Sequence, residues 1–405
     1  MRDLELFSRA LGLQEPWRVV ETSFEAGQRR LDLRLDFEPG ARFGCPVCER
    51  SGCAVHDTSE KSWRHLDFFQ HQAYLTARVP RVRCPEHGVR QVELAWAREG
   101  SGFTLLFEAL LMARVAEMPV RAVAELVGEH DTRVWRVVHH YVDAARARED
   151  LSMVERLGID ETSFRRGQDY VTLFADLDRS RCVFATPGRD AESVTRFVAD
   201  LRAHGGEPEQ VTEVCQDMSE PYLLGVLGKL LQAAITFDRY HVKAQLSRAV
   251  DEVRRQERKA QAGLLKGSRY LWLRNPAKLS AKQRARLDGL LCQPLKTVRA
   301  YKWALKFDAV VYELTGAEAE HYLRAWVRGA VRSRLQPIID FAHLVEDHWS
   351  GILRWFQSRV SNGVLEGLNS LVQAAKRRAR GYRSTRNYIA MIYLTVGKLN
   401  LALPT

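Results

Sequence analysis

The sequence predicts a multidomain α+β protein, and three successive patterns along the chain support this fold class. Alternating apolar residues and paired cysteines dominate positions 1–97, which favours a β-rich domain. Amphipathic helices with proline and glycine boundaries follow at 98–150. Short strands that alternate with helices begin near residue 151, and a long helical stretch interrupts them before the carboxy-terminal helices.

The composition is that of a globular protein with a polyanionic partner. The 405 residues are 46% hydrophobic and 27% charged, which excludes disorder, collagen and coiled-coil arrays as descriptions of the whole chain. No apolar run approaches the roughly eighteen residues of a membrane span, and the amino terminus lacks a signal-peptide pattern. We therefore expect a soluble, cytoplasmic protein with no membrane contact. The net charge of +11 favours a polyanion as its partner.

Seven cysteines, an odd number without a secretion signal, favour metal binding over disulfides. Two short motifs, Cys45-Pro-Val-Cys48 and Cys84-Pro-Glu-His87, each place two ligands three positions apart. Two such pairs can close a tetrahedral zinc site. Apolar residues alternate with polar ones over 31–37 and 73–79, which predicts a strand leading towards each motif. The segment is therefore predicted to be a β-rich zinc ribbon with one structural Zn²⁺.

Cys53 and His56 have the same spacing and are the alternative source of zinc ligands. They rank second because no alternating strand pattern leads into them. Cys182 and Cys215 lie inside apolar, strand-like runs, so we interpret them as small core residues.

A helix-turn-helix candidate follows the cysteine-containing segment. Residues 104–115 form an apolar pattern that a threonine can cap. A second helix is predicted to begin at Pro119 and end at Gly128, and a third to begin at Asp131. This order suits a motif that reads DNA, although a plain helical hairpin within a core gives the same pattern.

The third predicted helix of this motif has two different faces. Three residues are expected to face inward, namely Val134, Val138 and Tyr141. Arg133, Arg136 and His140 fall on the opposite face at i, i+3 and i+7. Because outward cations suit the major groove of DNA, Arg133 and Arg136 are predicted DNA-binding residues.

The chain then changes to an α/β pattern, with elements predicted in the order strand 157–161, strand 170–177, strand 181–186, helix 191–204, strand 211–215, helix from Pro221 and strand 234–237. Three strands followed by strand–helix alternation is the order of the RNase H-like fold. In that order the first strand lies beside the fourth, so Asp160 and Asp217 are expected at neighbouring strands. Carboxylates are the hard oxygen ligands that Mg²⁺ requires, and paired metals can clamp a phosphodiester.

A helical and basic stretch follows at about 245–345, with aromatic residues among the cations. Such aromatics can stack on unpaired bases, but more often they form the core of a helix bundle. The stretch contains Tyr270, Trp272, Tyr301, Trp303 and Trp326, and we expect the core role for the three tryptophans.

The carboxy-terminal stretch concentrates the positive charge of the chain. Positions 367–405 contain no Asp or Glu, and they carry seven cations: Lys376, Arg377, Arg378, Arg380, Arg383, Arg386 and Lys398. If a helix begins after Asn362, one of its faces carries Glu366, Asn369, Gln373, Lys376 and Arg380. The carboxylate near its start can hold a metal while the groups beyond it bind phosphates. The predicted DNA contacts here are Asn369, Lys376, Arg377 and Arg380.

Together these segments resemble bacterial insertion-sequence transposases of the DDE class, in particular the ISL-three group. The resemblance covers nearly the whole chain. It rests on the order and spacing of short motifs: Cys45-Pro-x-Cys48, Trp63-Arg64-His65-Leu66-Asp67, Arg83-Cys84-Pro85, Gly158-Ile159-Asp160-Glu161, Asp217-Met218-Ser219-Glu220-Pro221-Tyr222, Asp238-Arg239-Tyr240-His241-Val242, Asn362-Gly363 through Glu366-Gly367-x-Asn369, and Lys376-Arg377-Arg378-Ala379-Arg380-Gly381-Tyr382. His87 stands where some members of this group have a cysteine.

The resemblance implies a catalytic triad of Asp160, Asp217 and Glu366 that holds Mg²⁺ or Mn²⁺. Three further acids, Glu161, Asp176 and Asp238, are expected to support the site or the fold rather than join the triad. His241 can contact DNA or cap its helix, and both roles remain open.

The resemblance also implies the domain organisation. The predicted parts are a zinc-binding domain at 1–97, a helix-turn-helix domain at 98–150, the first part of an RNase H-like catalytic domain at 151–245, an all-helical insertion at 246–345, and the second part of the catalytic domain, with the basic tail, at 346–405.

The implied function is binding of the terminal inverted repeats of an insertion sequence, followed by metal-dependent strand cleavage and strand transfer. The expected partners are double-stranded DNA, at element ends and target, and a second copy of the chain on that DNA, in the nucleoid of a bacterial cytoplasm. No small-molecule substrate is expected. The alternatives are a non-catalytic zinc and helix-turn-helix regulator, and a nuclease without strand transfer.

Overall fold

The computed structural model describes residues 3–165, 167, 169–314, 316–360 and 362–404. The chain divides into two compact units. The first comprises Met1–Asp143 with Leu401–Thr405, and the second comprises Ala144–Asn400. Among the described residues, no helix has both the length and the apolar character that a membrane crossing needs.

The first unit is built on a six-stranded sheet preceded by helix α1 (Asp3–Ala10). Its strands are β1 (Trp17–Glu25), β2 (Arg30–Phe37), β3 (Arg42–Phe43), β4 (Cys53–Phe68), β5 (His71–Cys84) and β6 (Gly88–Gln91). The order is β1-β2-β5-β4-β3, with β6 on β5, and among the described strand pairs of this first sheet only β2–β5 is parallel. Alternate residues of β2 and β5 are buried, as the period of two in the sequence predicts.

Three helices follow this sheet along the chain: α2 (Leu105–Glu117), α3 (Val120–Val127) and α4 (Asp131–Ala147), and the last turn of α4 belongs to the second unit. The side chain of Thr104 accepts a hydrogen bond from the Phe107 amide and so caps α2, as predicted. Gly128 ends α3 in the left-handed conformation, at φ 71°, that a glycine adopts without strain. The three residues predicted to face inward from α4 are buried: Val134, Val138 and Tyr141.

The second unit contains a five-stranded sheet of β7 (Arg156–Ser163), β8 (Tyr170–Asp176), β9 (Arg181–Pro187), β10 (Glu213–Gln216) and β11 (Ala234–Phe237). The strand order is β11-β10-β7-β8-β9. The β7–β8 and β8–β9 pairs are antiparallel, whereas β10 is parallel to both β7 and β11. The first strand of this sheet therefore lies beside the fourth, as the order of elements in the sequence predicts.

Four described helices of the second unit lie before or after the long helical stretch in the sequence: α5 (Ala191–Ala203), α6 (Glu220–Lys229), α15 (Gly363–Arg378) and α16 (Thr385–Val396). Eight more form the stretch between them: α7 (Arg239–Arg258), α8 (Ala262–Leu265), α9 (Arg269–Leu273), α10 (Ala281–Leu291), α11 (Lys296–Glu313), α12 (Gly316–Val331), α13 (Gln336–Asp347) and α14 (Trp349–Ser358). Trp272 and Trp326 are buried in the core of this helical stretch and the partly buried Trp303 packs against it, so the core role predicted for the tryptophans is confirmed. Tyr301 is buried in the same core. Tyr270 differs because 58% of it is exposed.

Candidate active site and zinc-binding cluster

Two aspartates occupy the same edge of the second sheet because their strands are parallel neighbours. Asp160 lies within β7, and Asp217 directly follows β10. The register pairs Cys215 with Gly158, so its continuation by two residues brings Asp217 opposite Asp160. The carboxyl ends of parallel strands meet at one edge of a sheet, which is why residues distant in the sequence become neighbours here.

Helix α15, which bears Glu366, contacts β7 at this edge. Asn362 precedes the helix, and its Nδ2 donates to the Ile159 carbonyl oxygen at 3.4 Å. One turn beyond Glu366, Asn369 Nδ2 donates to Asp160 Oδ2 at 2.6 Å. Glu366 lies between these two contacts, within the part of α15 that faces β7.

Gly158 allows α15 to lie close to β7. A Cβ atom at this position would lie 2.6 Å from Leu365 Cδ1 and 2.8 Å from Leu177 Cδ2. Leu365 is fully buried, so it has little room to move. Close approach at a residue without a side chain thus sets the position of the helix that bears Glu366.

Gly158→Val is expected to destabilise the second unit, because the added methyl groups overpack the contact with Leu365. We expect a loss of about 1–3 kcal/mol, measured as a lower midpoint in thermal or urea unfolding. Gly228→Val is the matched control, since nothing lies within 4 Å of a Cβ there. Equal unfolding midpoints for the Gly158 variant and the wild type would show that this contact does not set the helix position.

Burial raises the pKa of Asp160 to about 6. The hydrogen bond that its carboxylate accepts from the Glu161 amide and the nearby charge of His241 lower the pKa, but by less than burial raises it. The carboxylates of Glu161 and Asp217 add to this rise. Burial and the charge of Asp217 likewise raise the pKa of Glu161. A bound cation would relieve this clustering of like charges.

Asp238 and Asp176, two of the three further acids, have structural partners. Asp238 is buried, it caps α7 through the His241 amide, and it also accepts from His241 Nδ1 at 3.1 Å and from the Asn362 amide at 3.3 Å. The hydrogen bond between His241 and Asp238 raises the pKa of His241, and the charges of Asp160 and Asp217 add to this rise. These effects outweigh desolvation by burial, which lowers the pKa. His241 is therefore held at the start of α7, near Asp160 and Asp217. The other acid, Asp176, accepts hydrogen bonds from two backbone amides of the β8–β9 turn.

The predicted basic face of α15 is shorter in the structure than in the sequence. Lys376 Nζ donates to the Ser163 carbonyl oxygen at 2.5 Å, and Gln373 Nε2 donates to Thr162 Oγ1 at 2.6 Å. The prediction that Arg380 shares this face is wrong, because α15 ends at Arg378 and Arg380 adopts a left-handed conformation at φ 57°. The Gly381 amide donates to the Lys376 carbonyl oxygen, which closes the helix end.

Sequence reasoning missed a hydrogen-bonded cluster beside the site. Tyr388 on α16 is buried, its hydroxyl lies 3.2 Å from Thr162 Oγ1, and Gln373 Nε2 donates to it at 3.3 Å. Its ring lies between the rings of Phe164 and Tyr382. In the sequence Tyr388 is an aromatic residue within an apolar helix, and nothing indicates that its hydroxyl bonds to Thr162 and Gln373. Only the packing of the folded chain brings these residues together.

The two arginines predicted to bind DNA from α4 have different surroundings. Arg136 is exposed, in agreement with an outward position. Arg133 is half-buried: its guanidinium pairs with Glu129, donates to the Gly102 carbonyl oxygen and lies 4.2 Å from the centre of the Phe103 ring. The contacts with Gly102 and Phe103 come from the segment before α2, so the helical spacing alone did not indicate them.

The structure brings Cys45, Cys48, Cys84 and His87 together. Their ligand atoms all lie within 4.8 Å of one another, which no other group of His, Cys, Asp or Glu in the described residues achieves. The Cys48–Cys84 Sγ separation is 3.8 Å, and His87 Nδ1 lies 3.6 Å from Cys84 Sγ and 4.0 Å from Cys45 Sγ. A Zn–S bond of about 2.3 Å gives tetrahedral edges of about 3.8 Å, so this donor set fits zinc.

The hydrogen bond that the backbone of His87 donates to Cys84 lowers the pKa of this thiol to about 6, which favours the thiolate that binds metal. The alternative pair has a different geometry. Cys53 is the first residue of β4 and His56 lies within that strand, so the strand starts at this pair and does not lead into it. Residues three apart on a strand point to opposite faces: Cys53 is buried, and His56 is exposed beside Arg83.

Asp160, Asp217 and Glu366, all described residues, do not form a group as tight as the cysteine cluster, since their carboxylate oxygens are not all within 4.8 Å of one another. The arrangement thus consists of an acidic sheet edge in the second unit and a compact thiolate–imidazole cluster in the first.

Family comparisons agree with this combination of parts. A family model described as zinc-finger of transposase IS204/IS1001/IS1096/IS1165 matches residues 41–87, which include all four cluster residues. A model for the helix-turn-helix domain of transposase family ISL3 matches 92–142, and a transposase model of the same family matches 157–392. The fold and the site therefore define a zinc-ribbon, helix-turn-helix transposase. Because the transposase model alone spans more than half of the sequence, the chain belongs to the ISL3 family of insertion-sequence transposases.

Curated relatives align over most of their length. The transposase for insertion sequence element IS1557 of Mycobacterium tuberculosis is 28% identical over 100% of this chain and 98% of the relative. The transposase for insertion sequence element IS1001 of Bordetella parapertussis is 29% identical over 85% of this chain and 87% of the relative. The predicted resemblance to the ISL-three group, which these models call ISL3, is thus confirmed.

Proposed function

We propose that this transposase cuts and joins DNA with Asp160, Asp217 and Glu366 as the ligands of its catalytic metal ions. The observation that carries the proposal is the shared sheet edge: two aspartates lie on adjacent parallel strands, and Asn362 and Asn369 hold the helix of Glu366 against one of those strands. Three antiparallel strands with two parallel strands beyond the first support an RNase H-like fold, with the helical stretch at 246–345 as its insertion.

Carboxylate oxygens are hard donors, so these three residues suit Mg²⁺ or Mn²⁺. When bound, a pair of such ions lowers the pKa of the attacking hydroxyl group and stabilises the leaving oxygen. The protein supplies the orientation of the ligands. Asn369 donates to one oxygen of Asp160 and the Glu161 amide donates to the other, so the two hydrogen bonds orient this carboxylate for a metal ion.

The proposed reaction has two displacements at phosphorus. Water first attacks at the element end, the bond between phosphorus and the 3′ oxygen breaks, and a 3′-hydroxyl is freed. That hydroxyl then attacks a phosphodiester of the target, forms a new bond to phosphorus and releases a target 3′-hydroxyl. Neither displacement needs a nucleophilic side chain, so no covalent link between protein and DNA is expected.

The remaining predicted contacts have separate roles in this proposal. The zinc ribbon, stabilised by one Zn²⁺ on Cys45, Cys48, Cys84 and His87, and the helix-turn-helix bind the terminal repeats. Arg136 contacts DNA directly, while Arg133 positions α4. In the second unit, Asn369, Lys376, Arg377 and Arg380 lie at or beyond the carboxylate site along the chain and bind phosphates. Since two element ends must meet, the chain acts as a homodimer on DNA.

The proposal is tested by Glu366→Gln, which keeps the size of the side chain and removes its charge. With a labelled duplex that carries an inverted repeat, we expect no Mg²⁺-dependent nicking by this variant and unchanged binding of the end. Glu318→Gln, at an exposed position on α12, is the matched control and is expected to nick normally.

Three other results would each contradict part of the proposal. Normal nicking by Glu366→Gln would remove this residue from the site. Absence of nicking in the wild type, with end binding retained, would favour a non-catalytic regulator. Nicking without joined products would favour a nuclease without strand transfer.

A further inference from the structure

A basic groove opens directly beside Glu366 in the second unit. It has a volume of about 920 Å³ and is lined by one side of α7, by the α9 segment and by the start of α15. We call it the α7 groove. Glu366 and Gly363 form one end of its lining, so the groove is continuous with the proposed cutting site.

The lining of the α7 groove is rich in cations. Six of them are Arg239, Lys243, Arg248, Arg255, Arg269 and Lys278. The buried acid Asp251 is paired with Arg254 and Arg269. Within the described part of the chain, Arg248 and Lys278 are exposed and form no ion pair with an acid. The groove therefore presents positive charge that its own carboxylates do not balance, which suits the phosphates of a nucleic acid.

Two exposed tyrosines accompany these cations. Tyr240 lines the groove and is 62% exposed, although most large apolar side chains of this helical stretch are buried. Tyr270, 58% exposed, lies next to the lining residue Arg269 and within 5.3 to 5.6 Å of the guanidinium groups of Arg269 and Arg274. Exposed rings among cations form the stacking platform that single-stranded nucleic acids use.

We propose that the α7 groove binds an unpaired stretch of the DNA strand whose phosphate lies at the carboxylate site. Its volume lies in the range of roughly 300–1,000 Å³ of clefts that enclose small ligands, so it holds a few nucleotides of one strand and not a duplex. Arg248 and Lys278 bind phosphates, and Tyr240 stacks on a base within the groove. Tyr270, which is not part of the lining, stacks on a base beside Arg269. That a phosphate of this strand lies at the carboxylate site rests on the proposed function. Binding of the strand to the groove can be measured without metal and without cutting.

The test measures binding of a fluorescent twelve-residue oligothymidine to the full zinc-loaded chain, in buffer without added divalent metal. Tyr240→Ala with Tyr270→Ala is expected to weaken binding at least about fivefold, since one stacked base contributes on the order of 1 kcal/mol or more. Tyr322→Ala, an exposed tyrosine outside the groove, is the matched control and is expected to bind as the wild type does. An abasic strand of equal charge should bind the wild type more weakly, and the double Tyr variant should lose this preference for bases.

The phosphate contacts have their own measurement. Arg248→Ala with Lys278→Ala is expected to reduce the slope of log K against log salt by about 1.4, because each phosphate contact on a single strand contributes about 0.7. Lys282→Ala with Lys302→Ala removes two exposed cations elsewhere in the helical stretch and is expected to leave the slope unchanged.

Unchanged affinity in the groove variants, or equal losses in the groove and control variants, would overturn the proposal. Since all these residues lie at the surface, the unfolding midpoint should stay at the wild-type value, which separates loss of binding from loss of structure. The cutting assay on Glu366→Gln is a separate experiment. If that variant cuts DNA normally, the proposed carboxylate site fails while the groove measurement stands.

Discussion

Replacing any one of Asp160, Asp217 and Glu366 is expected to abolish DNA cutting as completely as replacing all three. Residues that act as one unit lose their effect together, so each single variant should reduce the rate by more than about 1,000-fold, and the triple variant should lose little more. Asp160→Asn is the informative member, because an asparagine oxygen can still accept the hydrogen bond from Asn369. Asp288→Asn, at an exposed position on α10, is the control.

A second readout separates lost metal binding from a folding defect. Mg²⁺ or Mn²⁺ should raise the unfolding temperature of the wild type, since a ligand that binds the native state stabilises it, and should not raise that of Asp160→Asn. Small, additive losses of rate from the three single variants would show that the carboxylates act independently, which a shared metal site does not allow.

Replacing Cys45 and Cys48 together by serine is expected to release the zinc and abolish binding of the element end. Serine hydroxyls do not replace thiolates as zinc ligands, and structural zinc contributes about 10–16 kcal/mol in isolated zinc-finger peptides. The cluster residues join the ends of β3 and β5, so its loss should free the segment around residues 44–50. Metal analysis should give about one zinc per wild-type chain and close to none in the variant.

Two control variants make the zinc prediction specific. Cys292→Ser changes an exposed cysteine far along the chain from the cluster and should retain the metal. His56→Ala tests the alternative ligand pair and should also retain the metal, because His56 lies on the face of β4 opposite Cys53. Loss of zinc on replacement of His56 would favour that alternative instead.

Local patterns predicted much of this architecture. The strand expected at 234–237 is observed with the same limits, and α15 begins after Asn362 as expected. In both cases the signal lies within a few residues, as a short apolar run or a residue that suits a helix start. The neighbouring positions of Asp160 and Asp217 were predictable because strand order determines which carboxyl ends meet.

Contacts between distant segments were harder to predict. The neutral run from Gln373 to Ala375 followed by four cations in five residues gives no stop signal before Gly381, so the early end of α15 escaped the spacing argument. Arg133 contacts Gly102 and Phe103, and these contacts could not be predicted because no helical periodicity connects the two residues to α4. The α7 groove depends on helices from three separate segments, and only their packing shows which cations share a surface.

The late position of α15 in the chain has a consequence for protein synthesis. Domains fold from the amino terminus as the chain emerges, so the zinc ribbon and the helix-turn-helix are made well before Glu366. A chain interrupted before residue 363 carries the parts expected to bind element ends and only two of the three carboxylates. We expect such a product to occupy those ends without cutting them. Incomplete translation would thereby generate a competitor of the full transposase, and the order of its elements would limit the activity of the insertion sequence.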